Sequence, residues 1–249
     1  MKKIIKYLFL LTGGSFILAS CNDFLDREPL DSVTPDNFFF TENDLAAYAV
    51  KHYNFTTHEG FNAGIWRNDN ATDNQAATDY DKKWIPGQWK VPEAYDNPAS
   101  NDPWYFSAIR EANYFLETVV PRFEKGEIEG SETNIKHYIG EMYFLRAKNY
   151  LSKLETFGDF PIIKNTLPDE SASLIQASKR DPRHKVARFI LEDLDLAIGL
   201  LTNTISGGKN RITQNAALLL KSRAALYEAS WLTYHKGTAL VPGGPGWPG

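Results

Sequence analysis

The sequence predicts an all-α protein whose helices stack in antiparallel pairs, with long irregular loops between them. Three observations lead there. After residue 102, four segments carry apolar side chains at steps of three or four. Short polar or glycine-bearing breaks join those segments two by two. Residues 54–100 show no sustained period and read as one long loop.

The chain opens on a different pattern. Lys2, Lys3 and Lys6 precede a short apolar stretch, Tyr7 to Leu11 and Phe16 to Leu18, broken by Thr12-Gly13-Gly14-Ser15. Residues 1–20 therefore read as a secretory signal peptide, too short to span a bilayer. Leu18-Ala19-Ser20-Cys21 resembles a bacterial lipobox, and Cys21 is the single cysteine of the chain. Cys21 is thus the expected lipid attachment point; an ordinary cleaved signal with an incidental cysteine is the alternative. Residues 21–40 mix acids, prolines and aromatics and read as a lipidated tether that docks Phe38, Phe39 and Phe40.

Thr41 and Asp44 form a helix start, followed by Leu45, Tyr48, Ala49 and Tyr53 at helical spacing. Asp102-Pro103 supplies a cap and a first-turn proline for the first long helix, with Tyr105, Ile109, Ala112, Leu116, Val119 and Phe123 as its stripe. Pro121 ends or kinks it near its last turn. The second long helix begins near Glu132 and stops at Gly158, and Phe160-Pro161-Ile162-Ile163 reads as extended. Asp181-Pro182 repeats the start signal, with Val186, Ile190, Leu194, Ala197 and Leu201 inward, until Gly207-Gly208. Thr213 caps the fourth helix, apolar on nearly every side over 216–232 and so expected to lie buried within something larger. Ala112, Gly140, Ala147 and Ala224 are expected close-packing points. Helices paired in this way predict a tetratricopeptide-like helical-repeat domain over 41–240, although the repeat consensus is absent and the spacing between pairs is irregular.

Composition bounds the function. The chain carries −4, and loss of the three lysines in residues 1–20 takes it to −7. Such a chain lacks the cationic excess that nucleic acid binding needs. One cysteine allows no intrachain disulfide, so stability rests on packing; 43% hydrophobic and 13% aromatic residues supply a sizeable core. The histidines at 52, 58, 137, 184 and 235 show no helical metal spacing, and no G-x-S-x-G elbow or phosphate loop occurs outside the signal peptide. No metal or cofactor is expected. Paired carboxylates for glycoside hydrolysis stay open among 31 acids, because sequence does not give their separation. Residues 68–74 offer oxygen ligands without calcium-loop spacing and read as a solvated turn. Binding is the leading class, and the 54–100 loop carries its positive signal. Trp66, Tyr80, Trp84, Trp89 and Tyr95 stand among Asn, Asp and Thr, the mixture that stacks on sugar rings and bonds their hydroxyls. The competing reading is that these rings pin the loop onto the helices.

Residues 140–163, "GEMYFLRAKNYLSKLETFGDFPII", resemble the R-A-x-x-Y…F-G-x-x-P signature of the SusD/RagB family of outer-membrane lipoproteins. Residues 104–117, 190–201 and 210–238 are similar to neighbouring helices of that family, and 24–45 to its mature N-terminus. The resemblance implies a non-enzymatic, cofactor-free glycan-binding lipoprotein, lipid-anchored at the outer membrane of a Bacteroidetes-type cell. It further implies a SusC-like TonB-dependent transporter as partner, an oligo- or polysaccharide (in some branches a peptide) as ligand, and no nucleic acid. Arg146, Ala147, Tyr150, Gly158 and Pro161 match the signature as structural positions. Family members are usually longer, and residues 241–249 form a Pro/Gly loop without a closing helix, so a missing C-terminal half is expected. A lipid-anchored scaffold for protein partners and a lipid-anchored glycosidase are the other readings.

Overall fold

The structure, a computed structural model, describes residues 38–53, 55, 85–86, 104–204 and 210–247, and the backbone of 71–72 and 75–76. The architecture below belongs to the unit Phe39–Gly249. Among the described residues it is all-α, with six helices and one two-residue antiparallel pairing, β1 (Ala71–Thr72) with β2 (Gln75–Ala76), in the long loop.

Helix α1 (Glu42–Lys51) starts as the sequence predicts. Asp44 N donates to Thr41 Oγ1 at 3.3 Å while Thr41 N donates to Asp44 Oδ2 at 3.0 Å, a reciprocal cap that satisfies two otherwise orphaned donors. Phe39, fully buried, packs edge-on against Tyr48 and Phe115 at 5.1 and 5.3 Å. Phe40 instead lies on the surface beneath the Arg122 guanidinium.

Helix α2 (Ser107–Lys125) begins later than Asp102-Pro103 predicts. Trp104 and Phe106 pack on Phe157 and Phe160, at 4.0 and 5.0 Å, and hold the entry outside the helix. Tyr105 consequently falls before the helix and is exposed. Pro121 neither ends α2 nor stops its stripe; the helix runs on to Lys125 and closes at Gly126. Helix α3 (Glu132–Phe157) stops at Gly158, whose φ of 74° only glycine adopts without strain. Helix α4 (Ser171–Ala177) was invisible to the pattern because it buries no residue and so has no stripe. Helix α5 (Arg183–Leu200) takes Pro182 as its cap residue, one position later than the start signal implies. Asp181 does not cap it, because its Oδ2 is engaged by Ile162 N. Helix α6 (Gln214–Tyr234) starts at Thr213, whose Oγ1 accepts from Ala216 N at 3.2 Å.

Helix α3 is the centre. It packs against α2 and α1 on one side and most extensively against α5, and α5 in turn packs against α6. This arrangement gives two helix pairs, α2/α3 and α5/α6. The close approaches fall where small residues predict them: Ala112, Ala147 and Ala224 are buried, and a Cβ on Gly140 would lie 3.0 Å from both Leu200 Cβ and Leu201 Cγ.

Buried charges on α3 are matched by partners elsewhere in the chain, Asp193 on α5 and Arg211 just before α6. Arg146 donates twice to Asp193, through Nε at 2.7 Å and Nη2 at 2.8 Å. Burial pushes the Asp193 carboxyl above its ordinary value, and the guanidinium opposes that shift. Glu141, fully buried, receives Arg211 Nε at 2.8 Å and Nη2 at 2.5 Å. The outer face of α6 is different, with Leu218, Leu219 and Leu226 exposed. In this chain the most apolar helix is therefore uncovered on one side.

Candidate functional site

The segment between α3 and α5 is tied down by side chains from the helices beneath it. Phe160 and Asp181 exchange backbone hydrogen bonds, both 3.1 Å, which brings the two ends of the segment together. Ile163 N donates to Tyr150 Oη at 2.8 Å, and the Tyr150 hydroxyl donates to Ile163 O at 3.1 Å. Burial raises the Tyr150 hydroxyl far above its ordinary pKa, so it stays a neutral donor. Asn113 Nδ2 donates to Ile163 O at 2.8 Å, and Arg146 Nη1 holds Asn113 by its Oδ1 at 2.9 Å. The signature residues Arg146 and Tyr150 thus act by positioning this segment.

An extended chain points alternate side chains to opposite sides. Here Ile162 lines one cleft, while Pro161 and Ile163 line another. The first cleft, of about 520 Å³, is polar and charged: Asp159, Gln176, Lys179, Arg180, Asp181 and Lys185 surround it, and Trp247 closes one wall. The second, of about 380 Å³, is apolar, with Trp104, Phe106, Ile109, Leu167 and Leu174 around Asn113.

The polar cleft has the make-up of a site for a hydroxylated ligand. Trp247 is half-buried, tilted against His184 at 5.4 Å, and offers an aromatic surface beside amide and charged groups. Asp159 Oδ1 accepts Arg183 N at 2.8 Å and Asp181 Oδ2 accepts Ile162 N at 3.0 Å. Each carboxylate therefore keeps one oxygen for a ligand and spends the other on backbone. Arg180 lies over Trp104, 4.8 Å from the ring centre, and so bridges the two clefts.

Cys21, Trp66, Tyr80, Trp84, Trp89 and Tyr95, the positions singled out from sequence, lie outside the described residues. Sequence reasoning missed Trp247, which stands in a Pro/Gly stretch, and the cations of the first cleft. Their signal was present in Lys179-Arg180-Asp181-Pro182-Arg183-His184-Lys185, a basic run that read only as a helix start.

Residues 23–226 match the family model SusD-like_3, described as "Starch-binding associating with outer membrane". SusD-like protein P2 of Formosa agariphila is 27% identical over 219 residues, 86% of this chain and 40% of that protein. SusD-like protein P38 of the same organism is 28% identical over 203 residues, 80% of this chain and 37% of the relative. The crystal structure of a SusD-like protein from Bacteroides fragilis superposes with a TM-score of 0.60 at 25% identity, over 82% of this chain and 38% of that one. A SusD-like carbohydrate binding protein from the same species, 18% identical, shares the fold with a TM-score of 0.57 over 78% of this chain and 39% of its own. The chain thus spans about 40% of the length of the relative P2.

Proposed function

The chain belongs to the SusD-like family, and from that premise we propose that it is a carbohydrate-binding lipoprotein of the outer membrane. The family match over 23–226 carries this reading. The polar cleft walled by Trp247 supports it, because an aromatic surface flanked by amide, carboxylate and cationic groups suits a sugar. The protein acts by holding its ligand and not by changing it. A lipid on Cys21 tethers it after removal of 1–20, residues 21–40 form the tether, and the helical domain over 41–240 presents the site. The loop aromatics Trp66, Tyr80, Trp84, Trp89 and Tyr95 are proposed as further glycan contacts. A SusC-like TonB-dependent transporter is the proposed partner that takes the captured oligo- or polysaccharide inward.

A scaffold for protein partners is the second reading, favoured by the exposed Leu218, Leu219 and Leu226 on α6. The two readings separate in one experiment. The full chain is titrated with a glycan panel by calorimetry while reducing ends are assayed. Saturable binding without release of reducing ends is the expected result, whereas binding to no glycan sinks the proposal. The anchor has its own check: a fatty-acid probe should label the wild type and leave Cys21→Ala unlabelled.

A further inference from the structure

We propose that the polar cleft is a subsite for acidic glycans, sugars that carry carboxylate or sulfate groups. The proposal rests on the carbohydrate-binding reading above and concerns which carbohydrate. Lys179, Arg180 and Lys185 line the cleft against Asp159 and Asp181, an excess of cations in a chain whose formal net charge is −4. The two carboxylates are partly occupied, since each accepts a backbone N–H of the cleft's own walls. Those bonds engage one oxygen of each carboxylate without cancelling its charge, so the three cations leave the lining with one positive charge in excess. None of the three takes part in an ion pair among the described residues. Arg180 spreads its guanidinium over the Trp104 ring, which orients it without cancelling its charge.

Just outside the cleft the local field has the same sign. His184, against Trp247, is held below its ordinary pKa first by burial and then by Lys185 and Arg188, with only Asp159 opposing. A neutral sugar gains little from this arrangement, because hydroxyls are satisfied by amides and carboxylates as well as by ammonium groups. An anionic sugar gains charge-assisted hydrogen bonds from Lys179, Arg180 and Lys185 while its ring packs on Trp247. The volume, about 520 Å³, lies within the range of preformed ligand clefts.

The test titrates the full chain with oligogalacturonate, a carrageenan oligosaccharide and neutral maltoheptaose, at low and at physiological salt. Either acidic probe should bind at least about tenfold more tightly than maltoheptaose, and its advantage should shrink as salt screens the cations. The double variant Lys179→Ala/Lys185→Ala should lose about tenfold in affinity for that probe, since two exposed charge contacts are removed together. Both lysines are exposed, so its melting curve should match the wild type, and Lys125→Ala, on α2, should bind like the wild type. Maltoheptaose bound as tightly as the acidic probes, with no salt dependence, overturns the proposal and leaves the carbohydrate-binding reading standing. Acidic binding unaltered in the double variant overturns the assignment to this cleft. Failure of all three probes overturns the proposal and counts against the broader reading as well.

Discussion

The two clefts share a wall and differ in almost everything else. Residues 161–163 and Ala177 separate them, yet one side is walled by Asp159, Lys179, Asp181 and Lys185 and the other by Phe106, Ile109, Leu167 and Leu174. The thin partition, and not the bulk of either lining, is therefore what has to be held rigid. A segment without regular structure separates two media only if its own backbone groups are satisfied. Tyr150, Asn113 and Asp181 supply those bonds, and Arg146 fixes Asn113 in turn. The apolar cleft gives cohesion to the segment's underside. The polar cleft lies on the segment's other side, where the proposed ligand would reach it.

The most severe way to break this division is to remove the post beneath it. Arg146→Ala leaves Asp193 charged, buried and unpaired, and should cost about 3–5 kcal/mol in chemical denaturation. Because Asn113 is released too, both clefts should be lost together. Phe106→Ala acts on the apolar side alone. Its ring stacks on Phe160 at 5.0 Å and is half-buried, so the loss should be about 1–3 kcal/mol, less than for a fully buried aromatic.

A smaller effect comes from pH. His184 has its folded pKa depressed below the ordinary 6.5 by burial, and then by Lys185 and Arg188, against Asp159. A depressed folded pKa means that the fold favours the neutral ring. The corresponding stability is full above pH 6.5 and is lost as pH falls through the folded value. Melting temperatures measured between pH 7.5 and about pH 5 should therefore drop slightly less in His184→Gln than in the wild type. A bound acidic glycan should raise the His184 pKa, which proton NMR of the imidazole reads directly.

The helical frame was legible because it is periodic. Thr41 with Asp44, Gly158 and Thr213 mark helix ends whose structure follows local capping chemistry. Errors arose where tertiary contacts outrank local signals. Asp102-Pro103 is a good helix start, but the packing of Trp104 and Phe106 on Phe157 and Phe160 delays α2 to Ser107. Asp181 is a good cap residue, but the bridge to Phe160 turns its carboxylate toward Ile162. Helix α4 buries nothing and so leaves no pattern. The candidate site was less legible than the frame. Its residues come from 159–185 and from position 247, and only the fold brings Trp247 to Asp159 and Lys185. Ile162 and Ile163 are identical in sequence and face opposite clefts, a distinction set by the alternation of an extended chain pinned at both ends.

On the proposed reading, ligand enters the polar cleft and not the apolar one. Calorimetric titration of the full chain with the tightest-binding glycan, in parallel on Trp247→Ala and Phe106→Ala, tests it most directly. Loss of the aromatic surface should weaken Trp247→Ala by about tenfold, near the upper end of what one aromatic contact contributes. Phe106→Ala, once folded, should bind within about twofold of the wild type, a difference of under ~0.5 kcal/mol. The reverse pattern, with Phe106→Ala weakened and Trp247→Ala unchanged, would place the ligand on the apolar side and overturn this reading.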